Sequence, residues 1–490
     1  MTAAALWVFG GYLLGLFALG WWALKRTRDE SDYWIAGGRL GWLTGGATLA
    51  ATHASAGTFI GAVGLVYTAG WSLGWIVLAL PAAYWFMAGV LAPRFTRVRE
   101  LTLPAFLETR YGSRSVRTVG AVIILVATVV YIQAQVVAGG LVANTLFGIP
   151  TLWGMVGFTT LMVVYTMVGG MVAVVYTDLL QLAVMTVGAV AAVPLALRHL
   201  DGVEGLLAWA QVADPATFQW GALPGALLFT MALAFTLGGI STPEKLVRLY
   251  AMRDMRTIRR GVLLAVVLTT GLNLTVFLLA LSARVFFPAL PTGDLAMPLV
   301  ATTVLPGVLG ALVLAAVTAA MMSTVDSLLL VAGSALAHDL YGSLAGERVS
   351  PRVRMWVDRL GIVVVGSVPL LLLASGVGEG ELVQFIVLLF SALMGAAFFA
   401  PVVLGVYWAR ANRQGALASM LGGAGTTFLW ETFGSQEIDP VLPGVLVSFG
   451  LLWIVSLMTP PAPGDPLAPY RPDRGGAAKG EPPAGGARTG

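Results

Sequence analysis

The chain has 490 residues, 58% hydrophobic and 11% charged, with a formal net charge of +4 and no cysteine. Such a composition excludes the soluble globular classes, a disulfide framework and thiol chemistry. The positive residues are divided among short connections between apolar runs, so the basic balance is a topology signal rather than a nucleic-acid footprint.

Crossing a bilayer takes about 20 apolar residues in a helix, and lipid forces the backbone to satisfy its own hydrogen bonds. Thirteen stretches meet that need, at 5–24, 42–68, 71–92, 118–146, 151–169, 175–197, 224–243, 262–283, 307–336, 360–376, 382–407, 415–433 and 441–459. The longer ones must tilt or contain irregular backbone. With the N-terminus outside, every one of the 28 Lys and Arg except Arg198 and Arg284 falls in 25–41, 93–117, 170–174, 244–261, 337–359, 408–414 or beyond 460. Positive charge stays on the cytoplasmic side, so these connections and the C-terminus are expected at the inner face of the plasma membrane. The first stretch has no basic n-region and no small-residue cleavage site before Lys25, which predicts a retained span. The outer connections 198–223 and 284–306 are too short to fold alone. The expectation is one transmembrane domain over 1–459, followed by a disordered, Pro- and Gly-rich tail over 460–490.

In membrane helices, chemistry sits at polar and irregular positions. The first such region is GGATLAATHASAGTFIGAVG at 45–64. Close helix packing explains its glycines, but not the run of Thr48, Thr52, His53, Ser55 and Thr58. A break near 51–57 would expose carbonyl oxygens and helix ends, the material of ion and solute sites. A neutral His53 suits donation to a solute oxygen, a protonated one suits attraction of a carboxylate, and a plain structural role is a bond to a freed carbonyl.

The seventh stretch ends in LGGISTPEKLVRLY, where Gly238, Gly239 and Pro243 weaken the helix. Interruptions at corresponding places predict two five-helix repeats, spans two to six and seven to eleven. In AAVTAAMMSTVDSLLL (315–330), Ser323 and Thr324 are adjacent, and Ala320 lies one turn before Thr324. Such hydroxyls often only bond back to a carbonyl one turn earlier. No phosphate-binding GxxxxGK[ST] loop, HExxH pair, Cys/His cluster or visible nucleophile–base pair occurs, so an enzyme is not expected.

Several ordered motifs then resemble the sodium:solute symporter family over about residues 5–459. Tyr165, Thr166, Gly169, Gly170, Met171 and Ala173 look like its signature, followed by Thr177, Asp178 and Gln181. M-S-T-V-D-S at 322–327 is similar to its eighth core helix, and G-x-Y-W-x-R-x-N at 405–412 to the end of its tenth. The run ending in Asp339, Leu340 and Tyr341 looks most like the pantothenate and monocarboxylate branches, with the proline branch more distant.

The resemblance implies an all-α membrane protein of LeuT-like fold. It would be a 5+5 inverted repeat with core repeats at about 42–197 and 224–407, broken first and sixth core helices, and 13 transmembrane helices. It implies import driven by Na⁺ as coupling ion, with no other cofactor. The implied sodium ligands are the carbonyls of Ala51 and Ala54 together with Ala320, Ser323 and Thr324, oxygens that suit a hard cation. Asp178 matches an acid on the ion-release path. Ser55, Gly57 and Thr58 should face the solute, Gln135 matches a family Gln, and Tyr131 lies one turn before it on the same face. Phe235 is expected to line or gate the pocket, or to be packing. No family role carries over to His53. Leu141 stands where pantothenate-branch relatives carry Arg. The implied solute is a monocarboxylate, pantothenate-like or an amino acid, the partners being that solute, Na⁺ and the lipid bilayer. No nucleic acid and no obligate protein partner is expected. Two alternatives share the fold. Proton coupling through His53 or Asp178 is disfavoured by the presence of Ser323 and Thr324. A membrane solute sensor would need a signalling domain, for which the tail is too short.

Overall fold

The computed structural model describes residues 3–25, 36–98, 100–213, 215, 219, 222–342, 350–377 and 380–471. α1 (Ala3–Leu24) leads to α2 (Trp42–His53). α2 stops at Ala54, which is extended at φ −66° and ψ 122°. The chain resumes as α3 (Gly57–Leu73) on an axis bent by 55°. No proline enforces this break; it falls in the small-residue run Ala54–Ser55–Ala56–Gly57.

α4 (Val77–Phe95) and α5 (Leu103–Tyr111) follow, then α6 (Arg114–Phe147). α7 (Thr151–Met167) runs into α8 (Gly170–Arg198) through a kink at Gly170, φ 65° and ψ 177°. Only glycine adopts that φ without a Cβ penalty. The expected connection at 170–174 is therefore the first turn of α8 and not a loop.

α9 (Gly202–Ala213) precedes the second break, between α10 (Gly225–Ser241) and α11 (Pro243–Ala251), which are bent by 42°. Here the cause is covalent. Proline disfavours helical geometry in the residue before it, and Thr242 sits at φ −71°, ψ 130°. Pro243 itself takes the first position of α11, where its missing N–H costs nothing. α12 (Met255–Phe286) starts on the Asp254 carboxylate, which accepts from Thr257 N–H at 2.8 Å. α13 (Gly293–Val304), α14 (Gly307–Tyr341), α15 (Pro351–Ala374), α16 (Val383–Tyr407), α17 (Arg413–Phe433) and α18 (Val441–Met458) complete the chain.

Every stretch expected to span carries helix. Among the described residues, eight helices are by themselves long and apolar enough to cross a membrane, or ten if each bent pair is one span. By that measure the expected thirteen is not reached, since the apolar parts of α1 and α7 cover only Trp7–Trp22 and Thr151–Met167, and α17 is not among the helices that pass. Large side chains such as Trp7, Trp153, Leu371 and Phe433 stand exposed on the outer surface, a pattern that fits lipid and not water.

α14 is the central element, packed on α1, α6, α7–α8 and α15. α2 lies on α12 so closely that a Cβ at Gly46 would strike the Gly261 backbone, and Gly238 of α10 meets the Ser391 backbone of α16 in the same way. Among the described residues the only bridge pairs Leu40 with Met252. It ties the entry to α2 to the end of α11.

Two expectations about loops need correction. The basic connection 244–261 opens with α11, all nine of whose residues are buried, Lys245 and Arg248 included. Side chains that read as topology markers are thus part of the core. The tail also departs from expectation in its first part. Leu467 and Tyr470 are buried, and the Tyr470 ring lies 5.9 Å from Phe106; residues 472–490 lie outside the described residues.

Candidate functional site

The break after α2 leaves carbonyls with no helical partner, and α14 supplies hydroxyls to them. Ser323 Oγ stands 3.1 Å from Ala51 O, 3.4 Å from Ala54 O and 3.0 Å from Ala320 O. Thr324 Oγ1 donates to Ala54 O at 3.0 Å. All five residues are buried. A hydroxyl has one proton to give, so three carbonyls around Ser323 leave an excess of acceptors. Hard cations the size of Ca²⁺ hold oxygens roughly 2.3–2.6 Å away, which puts neighbouring ligands about 3.3–3.7 Å apart at right angles. The oxygens seen here are slightly closer together than that. The donor set is entirely neutral and fits a monovalent hard cation.

Directly beyond this cluster lies an ionic network. Ser327 Oγ donates to Ser323 O at 2.9 Å and accepts from Arg248 Nη2 at 2.7 Å. The same nitrogen is 3.1 Å from Asp178 Oδ2, and Arg248 Nε donates to Thr48 Oγ1 at 3.0 Å. Thr48 donates in turn to Asp178. Arg248 and Asp178 are both fully buried. A buried pair repays its desolvation only with good geometry and further hydrogen bonds, and this one has both. It joins α11, α2, α8 and α14 at one point. Nearby, Asp326 accepts from Thr166 at 2.8 Å, while its other oxygen and Asp178 Oδ1 have no partner.

On the opposite side of the break is a cavity of about 50 Å³. His53, Ser55, Gly57, Thr58, Tyr131 and Phe235, all expected near the solute, line it. Thr58 Oγ1 lies 3.4 Å from His53 O, and Tyr131 stacks on Phe390 with centroids 4.3 Å apart. His53 Nε2 is 3.0 Å from Asn273 Oδ1 of α12. That bond assigns the proton to Nε2 and uses the ring in an interhelical contact. Gln135 is placed differently. Its Oε1 accepts from Ala56 N–H at 2.8 Å, capping the start of α3, and it is not among the lining residues.

Sequence reasoning missed Lys245, Asn273, Gln384, Phe390 and Ser391, which also line the cavity. Asn273 and Gln384 carried the one available signal, an amide inside an apolar span. Lys245 gave none, because a basic residue near a span end reads as a topology marker.

Similarity to known proteins follows the same lines. The profile of the sodium:solute symporter family matches residues 33–423. The osmoregulated proline transporter OpuE of Bacillus subtilis is 28% identical over 92% of this chain and 94% of its own. The sodium/pantothenate symporter of Escherichia coli is 29% identical over 89% and 93%. The two identities are nearly equal, so identity does not set the proline branch further away than the pantothenate branch, as the motifs suggested. In structure, a Na⁺-coupled sialic acid symporter in its substrate-bound outward-open state superposes with a TM-score of 0.81 at 21% identity, covering 94% of this chain and 99% of that one. Mhp1, a nucleobase-cation-symport-1 family transporter in a closed conformation, gives 0.60 at 15% identity, covering 91% and 99%. The overall fold is shared with these transporters, and the chain belongs to the sodium:solute symporter family.

Proposed function

We propose that this chain is a Na⁺-coupled secondary active symporter that imports a small organic solute, a monocarboxylate, a pantothenate-like molecule or an amino acid, by alternating access. One observation carries the reading: the oxygen cluster and the cavity share a single break. Ala51 and Ala54 turn their carbonyls to the cluster, while His53, Ser55, Gly57 and Thr58 line the cavity. A cation drawn to those carbonyls fixes the angle between α2 and α3. That angle sets where Ser55 and Thr58 stand, so ion and solute each raise the affinity of the other by the same factor.

Na⁺ is the ion that neutral oxygens suit, held weakly enough to leave. Ala51, Ala54, Ala320, Ser323 and Thr324 would hold it. Asp178 lies on its way out, and Arg248 closes that way until α2 and α11 move apart from α8 and α14. The Na⁺-coupled structural neighbour and the proline and pantothenate relatives support this reading. We place the cytoplasmic side at the C-terminus and the N-terminus outside, with thirteen crossings and a core of two inverted five-helix repeats. Reporter fusions at 200–215 and after 460 that report the same side would overturn this topology.

The test of function is uptake into proteoliposomes, across labelled carboxylates, amino acids and sugars. An inward Na⁺ gradient should drive accumulation of one solute class. Equal accumulation in sodium-free buffer under a pH gradient would replace this reading with proton coupling.

A further inference from the structure

We infer that Lys245 anchors a solute carboxylate, and that the solute is a short monocarboxylate with one more hydrogen-bonding group, which Gln384 holds. The inference rests on the symport reading above and narrows it.

Lys245 is 7% exposed, in the first turn of α11, on the cavity wall. Its Nζ donates to Thr242 Oγ1 at 3.1 Å and to Glu244 Oε1 at 3.2 Å. An ammonium has three N–H donors, so one remains for a guest. Glu244 does not line the cavity, and no Asp or Glu does. Glu244 pairs with the ammonium from behind the wall, so the lining presents a cation's spare N–H donor and no carboxylate. A guest with a negative group meets a partner there; a guest ammonium meets no acceptor of opposite charge.

Gln384 makes the second point independently. It is 1% exposed, lines the cavity, and neither atom of its amide has a hydrogen-bond partner. Buried amides are not left so without a reason. A Cβ at Gly61 would press on Gln384, so glycine there lets the amide lie against α3. The amide offers a donor and an acceptor together, the complement of a hydroxyl or an oxo group. Lys245 stands beside the second break, whereas Gln384 lies against Gly61 on the far limb of the first, so the two reach the cavity from different helices.

Beside the polar His53, Ser55 and Thr58, the lining has the apolar Phe235, Val276 and the stacked pair Tyr131 and Phe390. They suit a short carbon chain. The free volume of about 50 Å³ sets the scale. At roughly 10–15 Å³ per ordered water, it takes about four water-sized groups. A 2-hydroxy or 2-oxo acid of three carbons has six heavy atoms and so needs only a small opening of the walls. A pantothenate-sized guest or a sugar would need the walls to open much further.

The experiment uses the full chain in proteoliposomes, with labelled lactate and pyruvate as probes and propionate, lactamide, proline and pantothenate as competitors. Lactate uptake should be Na⁺-driven, with pyruvate competing well and propionate about tenfold less well, the cost of leaving a buried amide unpaired. Lactamide should compete about a hundredfold less well, since it lacks the charge. Lys245→Gln should raise half-saturating lactate about tenfold or more and abolish the preference for lactate over lactamide. Gln384→Leu should abolish the preference for lactate over propionate. Equal competition by lactamide and lactate overturns the anchor, and this measurement on the parent chain decides even where a variant fails to insert. Na⁺-driven uptake of proline or pantothenate but neither probe overturns the inference and leaves symport standing. Probe uptake that ignores Na⁺ but retains the charge preference leaves the anchor and removes symport.

Discussion

The two helix breaks differ in what holds them. Between α10 and α11 the break is written into the chain, because Pro243 disfavours a helical conformation at Thr242 through their covalent bond alone. Between α2 and α3 nothing covalent acts. The break is held by Gln135 on Ala56, by Ser323 and Thr324 on the freed carbonyls, and by Thr58 reaching back to His53. A break favoured by proline is expected to keep its shape through a cycle. One held by hydroxyls, and in the symport reading by an ion, is expected to respond to their presence. The responsive break is also the one whose residues serve both the oxygen cluster and the cavity.

The comparison can be broken first at the point where α2, before the first break, meets α11, after the second. Arg248→Met removes one member of a fully buried pair, and losing one partner costs about 3–5 kcal/mol. The melting temperature in detergent should fall sharply, and Asp178→Asn added to it should restore a good part. If Arg248→Met melts like the parent, the network is not what joins the two limbs.

A second effect falls on the responsive break alone. The double variant Ser323→Ala, Thr324→Ala removes two neutral ligands. At about 1.5–3 kcal/mol for an interaction with a charge, half-maximal Na⁺ should rise about tenfold to a hundredfold or more. Unchanged sodium dependence would reduce these hydroxyls to bonds along their own helix.

Gln135→Leu is expected to act next most strongly. It leaves Ala56 N–H without its acceptor, a loss of about 1–3 kcal/mol, and half-saturation for Na⁺ and solute should rise together. Pro243→Ala should alter solute uptake while sparing Na⁺ dependence. Matching profiles for the two variants would erase the distinction between the breaks.

The smallest effect belongs to His53. His53→Gln keeps a donor for Asn273 and should retain most uptake. His53→Ala should weaken solute affinity by about 1 kcal/mol, and sodium affinity less. If both variants match the parent from pH 5 to 8, the ring is packing.

Much of this was legible in the sequence, for reasons that are local. Gly238, Gly239 and Pro243 announce a weak helix by their own conformational preferences, and the polar run 48–58 is costly in lipid unless it lines something. The adjacent Ser323 and Thr324 pointed to the cluster only through the family pattern. The partner of Ala56 was not legible, because Gln135 is 79 residues away and only folding chooses which backbone group it caps. Lys245 and Arg248 misled for a physical reason. The rule that positive residues mark the inner face concerns where charge sits along the membrane normal. It does not distinguish a solvated guanidinium from one buried between four helices.

The oxygens of the cluster carry no formal charge, and this has an electrical consequence. An ion held there brings its whole charge through the membrane, with no compensating charge from its ligands. A potential of 100 mV then contributes about 2.3 kcal/mol per charge moved. With one Na⁺ per solute, an electrically neutral solute would be accumulated by voltage, whereas a monoanion would cross with the ion as a pair indifferent to it. Uptake under a clamped potential therefore reads out the charge of the solute before its identity is known.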